Sequence, residues 1–189
     1  MTVDALPTRD QALALLHEWI ANPNLRKHCL AVEAAMRAYA HQLGGDEERW
    51  GLAGLIHDFD WERHPDTARH PMAGVEVLRS KGWPDDVCRA VLGHASYSGV
   101  PRDTPMARAL FACDELCGFL VACALVQPDK SLNSVEVASV RKKMKRADFA
   151  RNVNRDDIVN GAAELGVDLD RHIGFTLDAL RAARGELGL

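Results

Sequence analysis

Trp50 to Glu62 reads WGLAGLIHDFDWE, and this stretch decides the fold. Trp50, Leu52, Ala53, Leu55 and Ile56 leave a helix almost no polar face, so it is expected to be buried on most sides. His57 and Asp58 are thereby delivered into the interior. A carboxylate placed there loses several kcal/mol of hydration unless it is paired, hydrogen-bonded or bound to a metal. Asp58, Asp60 and Glu62 sharpen that demand, because they fall where the helix should end and its dipole is negative. The only cation preceding them in the helix is Arg49. A metal ion held by the imidazole and carboxylate of His57 and Asp58 is the simplest compensation.

Outward from this stretch the chain reads as helices joined by short turns. Thr8 with Gln11 has the form of a capping box, and Leu13, Leu16 and Ile20 follow on one face until Asn22, Pro23 and Asn24 interrupt them. Leu25, Cys29, Val32, Met36, Tyr39 and Leu43 alternate steps of four and three up to Gly44, and His28 borders their inward stripe. Asp46 is placed to cap the central helix. Arg63 to Arg69 reads as a surface loop ending at His70, after which Pro71 opens a helix through Lys81. A short helix from Pro84 closes near His94. Thr104 and Pro105 start the longest helix, through about Gln127, with Asp114 deep among apolar residues. Asn133 with Glu136 resembles a cap before a basic helix, and a last helix pair covers Asp156 to Leu165 and Asp168 to Ala183. No stretch calls for a strand, so the expected fold is all-α, a single domain over residues 1–189.

Composition agrees with an ordinary globular protein: of 189 residues, 47% are hydrophobic and 26% charged. A net charge of -4 argues against nucleic acid as the main partner. Met1 to Asp10 lacks the basic start and apolar run of a signal peptide, and Leu116 to Val126 is too short to span a bilayer. Five cysteines without a CxxC pair point to reduced thiols, hence to a cytoplasmic location with no membrane partner.

In combination, an early histidine, a His-Asp pair ending a buried helix and a distant aspartate in a long apolar helix resemble the HD-domain metal-dependent phosphohydrolase superfamily. The matching residues are His28, His57, Asp58 and Asp114, within a helical core of about residues 25–127 that carries a helical extension over about 133–185. His70 and His94 are similar in placement to the additional ligands of binuclear members. HCLAVEAAM, GLIHDFDWE and ALFACDELCGF, with the basic tail, further resemble a group of small stand-alone bacterial HD proteins known only as predicted hydrolases. The chain departs from the deoxynucleotidase-like branch, which has a glutamate three residues after the His-Asp aspartate, where Trp61 stands here. It also lacks the signature that follows the pair in cyclic-dinucleotide phosphodiesterases.

The resemblance implies a phosphohydrolase acting on a small phosphorylated metabolite, a nucleotide monoester or diester being the expected class. A mixed imidazole and carboxylate set suits manganese, iron, cobalt, nickel or zinc, and magnesium less well. Adjacent helical residues point about 100° apart, so Asp58 can turn from the His57 ion towards a second one held by His70 and His94. One or two ions would then activate water and clamp phosphoryl oxygens. Asp60, Glu62 or Glu115 is expected to accept or orient the proton of that water. The competing reading of the histidines and aspartates is a buried hydrogen-bonded network, and that of the three acids is solvated charge at helix edges. Arg141, Lys142, Lys145 and Arg146, on one side of the basic helix, are expected to contact substrate phosphate, against the alternative of a solvated face or a partner interface. Two other functions share these ligands: a di-iron oxygenase and a non-catalytic sensor of a phosphorylated ligand. The remaining histidines, His17, His41, His64 and His172, are expected at the surface.

Overall fold

The computed structural model describes residues 6–189, so the first five residues of the Met1 to Asp10 opening lie outside it. Ten α-helices follow in order: α1 (Arg9–Trp19), α2 (Pro23–Leu43), α3 (Glu47–Ile56), α4 (Met72–Ser80), α5 (Asp85–His94), α6 (Pro105–Leu125), α7 (Val137–Met144), α8 (Arg155–Leu165), α9 (Leu169–Ala182) and α10 (Arg184–Leu187). Two short 3-10 turns, Ser96–Ser98 and Leu132–Ser134, complete the set. Among the described residues there is no strand, and the fold is all-α.

Local chemistry accounts for the boundaries that matter to the site. Thr8 and Gln11 exchange the two hydrogen bonds of a capping box at α1. Asn22 and Pro23, which interrupt the sequence pattern, also start the next helix: Asn22 accepts the Asn24 N–H at 2.9 Å and Pro23 occupies the first turn of α2. Asp46 caps α3 by accepting the Arg49 N–H at 3.0 Å. Every residue from Trp50 to Ile56 is then buried. Gly54 permits the close crossing of α3 on α2, since a Cβ there would lie 2.9 Å from the Val32 carbonyl oxygen and 3.0 Å from the Glu33 Cα. The helix ends at Ile56, and residues 58–63 wind onward through successive turns. Asp60 and Glu62 therefore follow the helix rather than belong to it.

The long apolar α6 packs against α2 and α5 on the N-terminal side and against α8 and α9 on the other. One apolar cluster extends from Ala12 in α1 to Leu187 in α10, which ties the C-terminal helices to the core. Gly161 makes the α8 contact possible, because a Cβ there would lie 2.6 Å from the Ala112 Cα. All five cysteines are buried and unpaired. No helix among the described residues is long and apolar enough to cross a membrane.

Three local expectations are corrected. Ser131, not Asn133, caps the turn before α7, and Glu136 precedes that helix without a side-chain cap bond. His172 is completely buried rather than at the surface. Its Nε2–H donates to the Ala112 carbonyl at 2.9 Å while its Nδ1 accepts from the Tyr39 hydroxyl at 2.6 Å, so one imidazole joins α2, α6 and α9. Burial keeps that imidazole below its ordinary pKa, in keeping with a neutral ring. His64 is half-buried, its ring edge-on to Trp19 at 6.4 Å, whereas His17 and His41 are exposed.

Gly161→Ala tests the α6 and α8 contact. A methyl group forced against the backbone of α6 is expected to cost about 1–3 kcal/mol, read as a lower urea midpoint and Tm. An unchanged midpoint would mean that α8 can shift at no cost.

Candidate metal centre

The site is assembled from the ends of α3 and α5, a loop end, and the inward faces of two long helices. His28 comes from α2, His57 and Asp58 from the end of α3, His70 from the loop before α4, His94 from the last position of α5, and Asp114 from the middle of α6. His28 Nε2 lies 3.0 Å from Asp114 Oδ1 and 3.2 Å from His57 Nε2, and His57 Nε2 lies 3.3 Å from the same Asp114 oxygen. Asp58 Oδ2 completes this group at 3.6 Å from His28 and 3.5 Å from His57. The other oxygen of Asp58 faces a second group. His70 Nε2 and His94 Nε2 are 3.3 Å apart and stand 3.3 and 3.4 Å from Asp58 Oδ1.

These separations fit ligands of a metal. Donor atoms about 2.1 Å from one ion and at right angles about it lie about 3.0 Å apart. The orientation of the rings agrees. His57 Nδ1 donates to the Gly54 carbonyl at 2.7 Å, His70 Nδ1 donates to Asp60 Oδ1 at 2.7 Å, and His94 Nδ1 donates to the Val91 carbonyl. With Nδ1 fixed as donor, each Nε2 turns its lone pair towards its neighbours, and lone pairs that converge in this way call for a shared cation. The alternative of a closed hydrogen-bonded network needs protons on those same nitrogens.

The electrostatics point the same way. Burial pushes the His57 imidazole down, but Asp58 and Asp114 outweigh it and raise its pKa to about 9. For His70, burial is likewise overcome by Asp58 and Asp60, again to about 9. Burial would raise the two site carboxyls, yet the surrounding histidines hold Asp58 and Asp114 well below the usual carboxylate range. The centre is thus an anionic pair that collects positive charge, and a divalent ion bound by neutral imidazoles would supply it. His28, His57, Asp58 and Asp114 can hold one ion; Asp58, His70 and His94 can hold another.

The three acids expected to handle a proton part company. Asp60 is fully buried behind His70, with its second oxygen accepting the Gly74 N–H at 2.8 Å. It orients an imidazole and has no access to a water in the cavity. Glu62 accepts the N–H groups of Ala21 and Asn22 at 3.0 and 2.9 Å, which secures the turn between α1 and α2 away from the site. Glu115 lines the cavity and accepts the Asn154 N–H at 3.1 Å. Burial and the adjacent Asp114 raise its carboxyl to about 7.

The basic helix is also displaced from the expected place. Arg141 pairs with Asp170 at 3.0 Å, Arg146 pairs with Asp148 at 2.6 Å, and neither they nor Lys142 and Lys145 line the cavity. Helix α7 packs on α9 and α6, and the chain reaches the site only after it. Arg155 holds that later segment by donating to the carbonyls of Phe149, Ala150 and Val153. Asn152, Val153, Asn154 and Asp157 then line a cavity of about 580 Å³ together with Trp61, Tyr97, Phe111 and the ligand candidates. Of these wall residues the sequence singles out Trp61 alone, an aromatic among acids three residues after Asp58.

The family model described as HD domain matches residues 25–118. The chain carries an HD domain. All six ligand candidates fall inside the matched span, and the HD domain suggests the metal-dependent phosphohydrolase superfamily. Among curated proteins the chain is similar to Ribonuclease Y of Oleidesulfovibrio alaskensis, 29% identical over 96 residues, which is 50% of this chain and 18% of that ribonuclease. The chain therefore matches less than a fifth of the relative's length. No solved structure matches the chain significantly.

Two outcomes are expected of this HD domain. Asp60→Asn places an amide donor against the Gly74 N–H or the His70 Nδ1–H, so metal affinity should fall about 10–100-fold in a calorimetric titration. Wild-type affinity would make Asp60 irrelevant to ligation. Lys142→Ala combined with Lys145→Ala should leave KM and its salt dependence unchanged; a raised KM would return α7 to the substrate site.

Proposed function

We propose that this HD protein hydrolyses a small phosphorylated metabolite, with nucleotide monoesters and diesters as the expected substrate class. The observation that carries this reading is the placement of Asp58, whose two oxygens face separate imidazole groups on the floor of an open cavity. In this reading His28, His57, Asp58 and Asp114 would hold one divalent ion, and Asp58, His70 and His94 would hold a second. Bound there, the ions supply Lewis acidity, an acidified water and a clamp on phosphoryl oxygens.

The remaining contribution is that of the chain. His57, His70 and His94 are fixed by their Nδ1 bonds, so the polar floor needs little reorganisation as charge develops on a substrate. Trp61, Tyr97 and Phe111 bring apolar surface to the cavity and reduce its hydration. Glu115 is the one of the three expected acids that faces the cavity, and we assign it the acceptance of a proton at its carboxylate. The name of the relative, a ribonuclease, supports phosphoester cleavage as the bond class. Its substrate is not transferred to a chain matched over so small a part of that protein.

The decisive experiment combines a metal assay with a phosphoester panel, run with and without oxygen. Wild type is expected to bind two metal equivalents per chain and to hydrolyse esters without oxygen. His70→Ala or His94→Ala should retain about one equivalent with a sharp loss of activity. Asp114→Ala should lose metal and activity while its circular dichroism spectrum stays helical. One equivalent in fully loaded wild type, or two in both histidine variants, would remove the binuclear arrangement. Turnover that requires iron and oxygen would replace hydrolysis by oxygenation, and ligand-induced stabilisation without turnover of any ester would make the protein a sensor.

A further inference from the structure

The charges around the cavity are one-sided. Beyond the metal ligands its wall carries the carboxylates of Glu115 and Asp157, and no Lys or Arg lines it among the described residues. The nearby cations are engaged elsewhere. Arg102 forms a two-pronged pair with Glu164 at 2.6 and 2.7 Å and stacks over Phe111, while Arg155 is turned onto backbone carbonyls. A phosphate can therefore be neutralised only at the ligand floor. A second phosphate or a carboxylate on the substrate would meet Glu115 and Asp157 with no cation among the lining residues to pair with it, since Arg102, the cation acting on Asp157, is committed to Glu164.

The acceptors of this wall are also unevenly committed. Asn154 is spent as the cap of α8, accepting the Asp156 and Asp157 N–H groups through Oδ1 and donating to Asp157 Oδ2 at 2.7 Å. Asp157 Oδ1 has no hydrogen-bond partner among the described residues, and it belongs to a residue that faces the cavity. Trp61 and Tyr97, exposed by 37% and 48%, line the same cavity, and large aromatic side chains left that open beside a polar site are suited to contact a planar or cationic group. The volume of about 580 Å³ leaves room for an organic part well beyond the phosphate.

We propose that the substrate carries a single phosphate and, on its organic part, a nitrogen group whose N–H bonds are accepted by Asp157 in the cavity that Trp61 and Tyr97 also line. This rests on the hydrolase reading for the fate of the phosphate, but the nitrogen subsite stands on its own geometry. The shared chemistry has two sources, the amino group of a nucleobase and an alkylammonium group. The single-phosphate requirement follows from the same wall in either case.

Matched pairs test it on the metal-loaded full chain. Adenosine 5′-monophosphate is compared with purine riboside 5′-monophosphate, which lacks only the amino group, and 2-aminoethyl phosphate with propyl phosphate. Binding is followed by calorimetry and hydrolysis by phosphate release. In one of the two pairs, which identifies the source, the nitrogen-bearing member should bind and react about 10–100-fold better than its partner, the range of a charge-assisted hydrogen bond. Adenosine 5′-diphosphate should bind more weakly than the monophosphate. Asp157→Ala should bring the preferred pair's ratio close to one with metal content unchanged. Asp156→Ala, which removes the same charge from the same turn but not from the cavity, should keep the ratio. Ratios near one in both wild-type pairs, a ratio that survives Asp157→Ala, or a preference for the diphosphate would overturn the proposal. Selective binding without turnover of any ester would uphold the subsite and remove the hydrolase reading; turnover without selectivity would do the reverse.

Discussion

Two carboxylates, Asp58 and Asp114, are held with side-chain exposures of only 15% and 18% where four helices and a loop end meet. Such groups are costly to desolvate, and among the described residues no Lys or Arg lines their cavity to offset them. Four imidazoles stand against them instead, and an imidazole is a cation only while it holds a second proton. The arrangement therefore has two ways of reaching neutrality: protons on the histidines, or divalent ions bound by the neutral rings. Metal binding would displace the first by the second, and the same field that raises His57 and His70 would attract the cation.

Helix ends serve this centre better than helix middles. His57 and His94 close α3 and α5, where the last carbonyls of a helix lack intrahelical partners, and each ring donates to the carbonyl three residues back, Gly54 or Val91. The helix terminus thus satisfies one of its own acceptors and fixes the tautomer of a ligand with a single bond. His70 follows no helix and recruits Asp60 for the same purpose. Gly74 allows this, since a Cβ at that position would lie 2.6 Å from the Asp60 Cγ. His28 and Asp114 come from helix middles, and their positions depend on the packing of α2 against α6.

Three of the ligand candidates that the structure brings together are legible in the sequence because they break a pattern: Asp114 is a carboxylate within an apolar run, and His57 with Asp58 interrupts a buried helix. Caps were legible for the same local reason, as at Thr8, Asn22 and Asp46. Long-range placement was not. Glu62 looked like one more acid beside the pair, but the chain turns after Ile56 and carries it to the N–H groups of Ala21 and Asn22, an approach that no spacing encodes. His172 follows Asp170 and Arg171 in sequence, and only the docking of α9 on α2 and α6 makes it interior. The basic helix misled for the opposite reason. Its charge is a local property, whereas its distance from the cavity is set by packing on α9.

The C-terminal helices add something that the matched HD domain, ending at residue 118, does not itself contain. Asn152, Asn154 and Asp157 reach the cavity only if α8 lies close along α6, and Gly161 against Ala112 sets that distance. Arg155 then folds the preceding segment back by donating to three of its carbonyls, which leaves the side chains of that segment to face the ligands. The floor and the wall are thus specified by different parts of the chain. Sequence change in the extension can alter what the cavity accepts while the ligands, fixed by helix ends and by the packing of α2 on α6, stay in place.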